Sequence, residues 1–331
     1  MKLITKSYEQ AKLKSKKWLS KFTINFLKWL LIIGLSYVIL YPIIQLIVPA
    51  LTYITEVDDP AVIWLPSNPT IKNFKVAMQL LGYWRTLGIT FLYTSIIVIL
   101  QVFVASIVGF GFARFDFPGK KILLVILLLT IAIPYFSIEL STKYYYTNFS
   151  LFGLVKLFNN GNTINLLGKN YVYIIINLLG QGLKGGLFVY IFIKFYSNVP
   201  VELEESALID GASYFRIYKD IILPNALPAV ITCVVLSFVW NYGDYQNSTL
   251  FNYESNFSLM STVINRNIVR TTNISAFIKN EYGIPGGSIN DYMVGAIQNC
   301  AILLFMLPLM IVYLVIQRKF VESFERSGIV G

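Results

Sequence analysis

NVPVELEESALIDGASYFRIYKDIILPNALPAV, residues 198–230, is a polar segment set between two long apolar runs. Pro200 suits the start of a helix, and Glu202, Glu204 and Glu205 follow where the exposed N–H groups of a first turn favour carboxylates. Gly211 lets the chain leave in a conformation costly for other residues, and Ser213 can cap a second short helix carrying Phe215, Ile217 and Tyr218. Pro224 then opens the next apolar run. The pattern predicts helix, turn, helix, held rigidly between two membrane helices; the residues alone equally suit an ordinary structured loop. It makes a poor catalytic site, because an acid and a base must oppose each other across a substrate, whereas Glu204 and Glu205 are consecutive and point differently.

The flanks of this segment are hydrocarbon. Of 331 residues, 56% are hydrophobic and 13% charged, against about 25% charged in an ordinary soluble chain. The windows 29–55, 86–113, 122–138, 221–243 and 292–317 carry almost no charge, and 170–193 is interrupted by Lys184 alone. Each approaches the roughly 20 residues a helix needs to cross the bilayer core. One soluble core could not hide them all, so the expected fold is an all-α polytopic membrane protein of about six transmembrane helices, multi-pass in the cell membrane. The first span is too long for a cleaved signal, and Tyr41-Pro42-Ile43 offers no small-residue cleavage site.

Composition excludes several chemistries. The chain has no histidine, which removes His-based metal sites and general bases. Cys233 and Cys300 fall inside predicted spans and read as small packing residues. The net charge of +10 is concentrated in Lys2, Lys6, Lys12, Lys14, Lys16, Lys17, Lys21 and Lys28. That lead is the positive-inside signature of a cytoplasmic N-terminus rather than a nucleic-acid surface, and six crossings put the C-terminus on the same side. With that topology 17 basic residues lie inside and nine outside, with Lys184 in the membrane.

The expected organisation is a basic cytoplasmic segment 1–22, either an interfacial helix or an unstructured tail; a first span and external segment over 23–83, with Pro42 bending the span and a surface helix near 71–82; a five-helix core over 84–317; and a cytoplasmic tail 318–331. Pro118-Gly119 supplies a reversal within RFDFPGKK, 114–121. Lys184 lies midway along the fourth span, where a lipid-facing charge costs about 2.5–3.5 kcal/mol. It reads as lining a cavity or an interface, or else as snorkelling from a helix set at another depth. In GQGLKGG (180–186), Gly182 and Gly186 are spaced as a close-approach face, or belong to a loose outer end. Neither GKK at 119–121 nor GKN at 168–170 completes a phosphate-binding loop, so no nucleotide site is expected on this chain.

The segment 198–230 resembles the EAA loop of the permease subunits of ATP-binding-cassette importers, in the branch of the maltose-type carbohydrate permeases. The match runs through Glu205-Ser206-Ala207, Asp210-Gly211-Ala212, Ile221, Pro224 and Pro228, with Ser206 in place of the usual alanine. ARFDFPGKK is similar to the family's loop between its second and third spans, Trp240-Asn241 to its fifth-span signature, and Leu307-Pro308 with QRKFV (317–321) to its sixth span and tail. The chain departs from the family in lacking Pro-Leu after Trp240-Asn241, in a longer stretch over 262–290, and in Val330 beside the matching Gly331.

The resemblance implies an importer permease fold in which loop 198–223 forms a cytoplasmic coupling helix for a separate ATPase, with Glu205, Ala207, Asp210 and Gly211 as the coupling residues. Implied partners are a second permease subunit, two ATPase subunits that bind ATP and magnesium, and an extracellular solute-binding protein or lipoprotein; no nucleic acid is involved. The implied cargo is a sugar or oligosaccharide, with Lys184, Trp240, Asn241, Tyr242, Asp244 and Tyr245 as pathway candidates. Tyr and Trp can stack on sugar faces, but they also anchor helices at interfaces. The external stretch 246–290, with Arg266, Arg270 and Gly286-Gly287, is a candidate contact for the binding protein or a disordered loop. A permease for peptides or another polar solute is the nearest alternative. A secondary transporter would call for internal repeats, which the sequence does not display.

Overall fold

The computed structural model describes the backbone of residues 2–60, 64–252, 257–268 and 271–328, with side chains from 21 to 318 inside those ranges except at 135, 271 and 272. Expectations placed on Arg270, on the side chains before residue 21 and from 319 onward, and on Val330 and Gly331 lie outside the described residues. The described chain is helical, with isolated bridges at Thr52–Pro69 and Phe149–Ile164.

Helix α1, Lys2–Leu51, joins the basic lead to the first span without a break and runs through Pro42 and Pro49. Its most apolar window within Lys21–Leu51 has a mean hydropathy of 2.3, and only 6% of that window is buried. Helix α2, Lys72–Leu81, is the surface helix expected near 71–82, with Lys75 and Gln79 exposed on its outer face. Its Asn73, Val76, Ala77, Leu80 and Leu81 are buried, because the apolar residues recur at a helical spacing and form one face. Gly82, in a left-handed conformation at φ 54°, ends α2 and starts α3, Tyr83–Arg114.

Among the described residues three helices are long and apolar enough to span a membrane: α1, α3 and the last helix over Asp291–Arg318. The other windows are interrupted. Helix α4, Lys120–Ala132, stops before Pro134 and α5, Tyr135–Thr147, begins after it. Proline lacks the N–H that would continue the ladder and pushes its predecessor toward extended backbone; Ile133 has ψ 119°. After the short α6, Leu154–Phe158, the expected fourth span is divided into α7, Asn170–Leu178, and α8, Gly185–Ser197. Beyond α9, Glu202–Ile209, and α10, Tyr214–Ile217, a π-helical turn over Tyr218–Ile222 leads to α11, Leu223–Asn225. The chain then bends by 77° into α12, Leu227–Tyr242. The fifth span therefore opens at Leu227-Pro228, and Pro224 belongs to the helix before the bend. Counting each bent pair as one crossing gives five; the expected sixth is the divided α7–α8.

The described residues of the stretch 246–290 are mostly helical. Helices α13, Tyr245–Asn252, α14, Met260–Val263, and α15, Thr271–Tyr282, bury Phe251, Met260, Ile274 and Ile278, and α16, Asp291–Gly328, closes the fold. One apolar cluster joins the end of α1 to α2, α14, α15 and α16. A second unites α3, α8 and the α10–α12 segment, and a third packs α7 and α13 on α3. Asn73 donates to the carbonyls of Ala50 and Thr52 (3.1 and 2.8 Å) and accepts from the Tyr282 hydroxyl at 2.5 Å, binding α2 to the end of α1 and to α15.

The break in the fourth span is held by side chains from its neighbours. Gln101 of α3 donates to the Leu183 carbonyl (2.6 Å), a backbone acceptor that no helix satisfies, and accepts from Ser237 Oγ (2.6 Å) and Asn241 Nδ2 (3.1 Å) of α12. Tyr173 of α7 donates to Asn241 Oδ1 at 3.2 Å. Polar backbone inside a membrane must find partners in this way. Both GQGLKGG glycines are close approaches, though in different elements. A Cβ on Gly182 would collide with Asn177 Oδ1 and Gln101 Nε2, and one on Gly186 with Thr130 Oγ1 of α4. A further close helix crossing is at Gly109 of α3, where a Cβ would stand 2.5 Å from Phe192 Cβ of α8.

Gly109→Val is expected to separate α3 from α8 and destabilise the protein by about 1–3 kcal/mol, the usual effect of overpacking, read as a lower thermal midpoint in detergent. Gln101→Leu strands the Leu183 carbonyl and two donors of α12. Each lost interhelical bond is worth roughly 0.6–2 kcal/mol, so thermal unfolding should show a loss that Gln101→Glu only partly reproduces.

Candidate functional site

Helix α9 owes its position to its two ends. Glu202, Glu204 and Glu205 occupy its first turn, where carboxylates meet the positive end of the helix dipole. Its far end closes with Gly211 N donating to the Leu208 carbonyl (3.0 Å) and Ala212 N to the Ala207 carbonyl (2.9 Å). This paired closure needs a left-handed residue, and Gly211 supplies it at φ 81°. Ser213 Oγ accepts from Arg216 N at 3.4 Å and starts α10, as its place after the turn suggested.

The four coupling candidates are thereby brought onto one short element. Glu205, Asp210 and Gly211 are exposed, and Ala207 is half-buried against the α3–α8 cluster with Ala212. Around the charges lie side chains that water does not favour: Ile209 is 86% exposed and Phe215 72%, with Leu203, Leu208 and Tyr214 also open. Large apolar groups gathered beside fixed charges are the kind of exposed patch found at protein or membrane contact surfaces.

Glu204 does something different from its neighbour. A helix turns about 100° per residue, so Glu205 faces outward while Glu204 is buried, its Oε1 2.5 Å from Nε of Arg114, the last residue of α3. Burial pushes the Glu204 carboxyl above the usual carboxylate range, and the Arg114 guanidinium pulls it the other way. Sequence reasoning placed Glu204 in the first turn and counted Arg114 as a cytoplasmic charge without linking them. The signal was a pair of consecutive acids on a helix with one solvated face.

The pathway candidates do not form one group. Asn241 is buried and committed to Gln101, Ser237 and Tyr173. Tyr242 is buried between Phe238 and Phe305, with its hydroxyl on the Phe305 carbonyl at 3.3 Å. Asp244 accepts from the Asn247 backbone N and Nδ2 (3.2 and 2.7 Å) and from Tyr173 at 3.4 Å. Trp240 is half-buried with its ring 5.7 Å from that of Phe188. Tyr245 is exposed, donates to Asn265 Oδ1 at 3.0 Å, and lines an open cavity of about 320 Å³ with Gly243, Ser261, Asn265, Ile302 and Phe305. Lys184 is exposed at the break of the fourth span in a left-handed conformation, φ 58°, and makes no ion pair among the described residues. Gln101 and Tyr173 were not foreseen, although a glutamine at the centre of a charge-free span has to be bonded to something.

Residues 101–326 match the family described as "Binding-protein-dependent transport system inner membrane component". A putative ABC transporter permease protein ORF2 of Caldicellulosiruptor sp. (strain Rt8B.4) is 31% identical over 179 residues, 54% of this chain and 58% of that protein. The maltodextrin transport system permease protein MalD of Streptococcus pneumoniae (strain ATCC BAA-255 / R6) is 25% identical over 306 residues, 91% of this chain and 94% of its own length. Among solved structures, a chain of a bacterial ABC transporter involved in the import of the acidic polysaccharide alginate superposes with a TM-score of 0.67 at 16% identity, covering 91% of this chain and 98% of that one. With well over half of its residues inside the family match, the chain belongs to the inner membrane components of binding-protein-dependent transport systems.

Proposed function

We propose that this chain forms one half of the translocation pathway for a sugar or oligosaccharide and is driven by a separate ATPase that docks on α9. The observation carrying the reading is the α9 surface, where Glu205 and Asp210 stand among exposed Ile209, Leu208 and Phe215 at one end of the helical bundle. As a permease subunit the chain is not an enzyme, and it contains no nucleotide-binding motif. ATP and magnesium belong to two partner ATPase subunits. The basic lead of α1 is cytoplasmic, as is the tail 318–331, which puts α9 and the 114–120 turn on the cytoplasmic side. The crossings are then six, with α7–α8 a divided span whose break sits within the bilayer. The core runs over 84–317 and includes coupling loop 198–223; the first span and external segment occupy 23–83.

A second permease subunit, in a heterodimer, supplies the other wall of the pathway. The segment 246–290 and α2 lie on the outer side, where an extracellular solute-binding protein or lipoprotein delivers cargo, with Arg266 and Gly286-Gly287 among the exposed groups it meets. Closure of the ATPase pair displaces α9, and rigid-body movement of the spans turns the pathway from one side to the other. Tyr245 and Trp240 are the aromatic groups still open enough to touch cargo, with Lys184 adding a cation at the broken span. The carbohydrate assignment draws support from relatives of nearly full coverage named for maltodextrin, galactooligosaccharide and arabinooligosaccharide transport.

Gly211→Pro imposes φ near −65° where the native value is 81°, so the variant should enter the membrane but lose binding-protein-stimulated ATP hydrolysis. The stimulated rate should fall to the rate seen without the binding protein; normal stimulation would overturn the docking role of α9. Ile209→Asp should lower recovery of the ATPase subunits with the membrane complex while leaving membrane insertion unchanged. Mass spectrometry of the ligand retained by the external receptor should return a saccharide, and a peptide there would replace the carbohydrate reading.

A further inference from the structure

We infer that Arg114 is a positioning residue that latches α9 to α3, so that α3 moves with the docking surface as one rod from one end of the bundle to the other. This rests on the proposed docking role of α9 but concerns what the displacement reaches. Arg114 uses two nitrogens of its guanidinium: Nε lies 2.5 Å from Glu204 Oε1, and Nη2 donates to the Val199 carbonyl at 2.7 Å. One side chain therefore holds the chain before α9 and the first turn of α9 together. Arginine suits this because its rigid planar fork offers several donors at once, where lysine offers a single point of charge.

The latch is the last member of a stripe. Ser106, Phe110 and Arg114 recur every fourth residue and share one face of α3. Ser106 Oγ is hydrogen-bonded with the hydroxyls of Tyr196 (2.5 Å) and Tyr218 (2.7 Å), both buried. Phe110 packs edge-on to Tyr196 at 6.2 Å and against Tyr218 at 5.2 Å. Tyr196 precedes α9 and Tyr218 follows α10, so one face of α3 grips the docking segment before, within and after it. The ion pair is buried, and removing one partner of such a pair leaves an uncompensated charge.

The far half of α3 is bonded as closely to the opposite end. Tyr83 donates to the Leu304 carbonyl (3.2 Å), Thr90 Oγ1 accepts from Met260 N (2.9 Å), and Tyr93 donates to the Asn170 carbonyl (3.0 Å). At 1.5 Å per residue an α-helix the length of α3 spans about 48 Å without a proline inside it. A displacement of α9 thus reaches α14, α7 and α16 through one stiff element.

The test uses the intact complex with its ATPase subunits in lipid nanodiscs, spin-labelled at Glu202→Cys on α9 and Trp84→Cys at the other end of α3. Both positions are exposed, and the native Cys233 and Cys300 are buried. With Arg114 present, the distance between labels should stay the same when ATP and vanadate are added. In Arg114→Ala, and in Glu204→Gln as a milder second variant, nucleotide should change that distance, and ATP hydrolysis should lose its response to the binding protein while the ATPase subunits still co-purify. Arg114→Lys should fall between, keeping the charge and losing one of the two contacts. A nucleotide-dependent change already present with Arg114 intact, or an unchanged distance with normal stimulation in both variants, overturns the latch. Loss of ATPase co-purification only in the Ile209→Asp surface variant supports the docking reading separately, whereas its persistence there would sink that reading and leave the label distances to judge the latch.

Discussion

Gln101 occupies the point on which the rest of the membrane-embedded structure turns. A helix broken beside packed apolar neighbours exposes carbonyls and N–H groups that need protein partners, and the chain between α7 and α8 is such a break. The Gln101 amide meets this with one donor on Leu183 and one acceptor shared by Ser237 and Asn241. Three spans are thereby fixed to one another around a single side chain, and Gly182 lets that side chain come close. The interruption is a supported feature, which is why Lys184 can stand at mid-span in a turn instead of on a helical face directed at lipid.

Above and below that point α3 carries contacts of different kinds. Its middle is close packing, with Gly109 against Phe192; its two ends are polar, with hydroxyls to Leu304, Met260 and Asn170 at one and a guanidinium to Val199 and Glu204 at the other. Apolar contacts fix distance but allow sliding, while hydrogen bonds fix register. The arrangement lets a single helix hold its neighbours in register at both ends.

Much of this was legible from residue order. The apolar windows fall on α1, α3, α4, the α7–α8 pair, α12 and α16, because burying or solvating hydrocarbon dominates the energetics. Pro200, Gly211 and Ser213 located the ends of α9 and α10 because each solves a backbone problem that few residues solve. What was not legible was long-range. The break after Leu178 has no proline, and its glycines read equally well as a packed helix face; only Gln101, far away in sequence, makes the break favourable. The bend falls at Ala226 rather than at Pro224, which is carried inside the continuous helical run Tyr214–Asn225 before it. The burial of Glu204 depended on where Arg114 arrives, and the helices within 246–290 on the face that α2 and α16 present. Tyr242 and Tyr245 look alike in sequence, yet one lies in the core and the other at a cavity, separated by the end of α12.

Helix α1 touches the remainder of the fold mainly through its final turns, where Val48 and Ala50 are buried and the Ala50 carbonyl takes the Asn73 amide, while residues 21–40 are open along their length. A rod secured at one tip has its angle set by what surrounds it. Packing within this chain therefore leaves the inclination of residues 21–40 open, and bilayer thickness together with whatever helices flank it sets how steeply it leans.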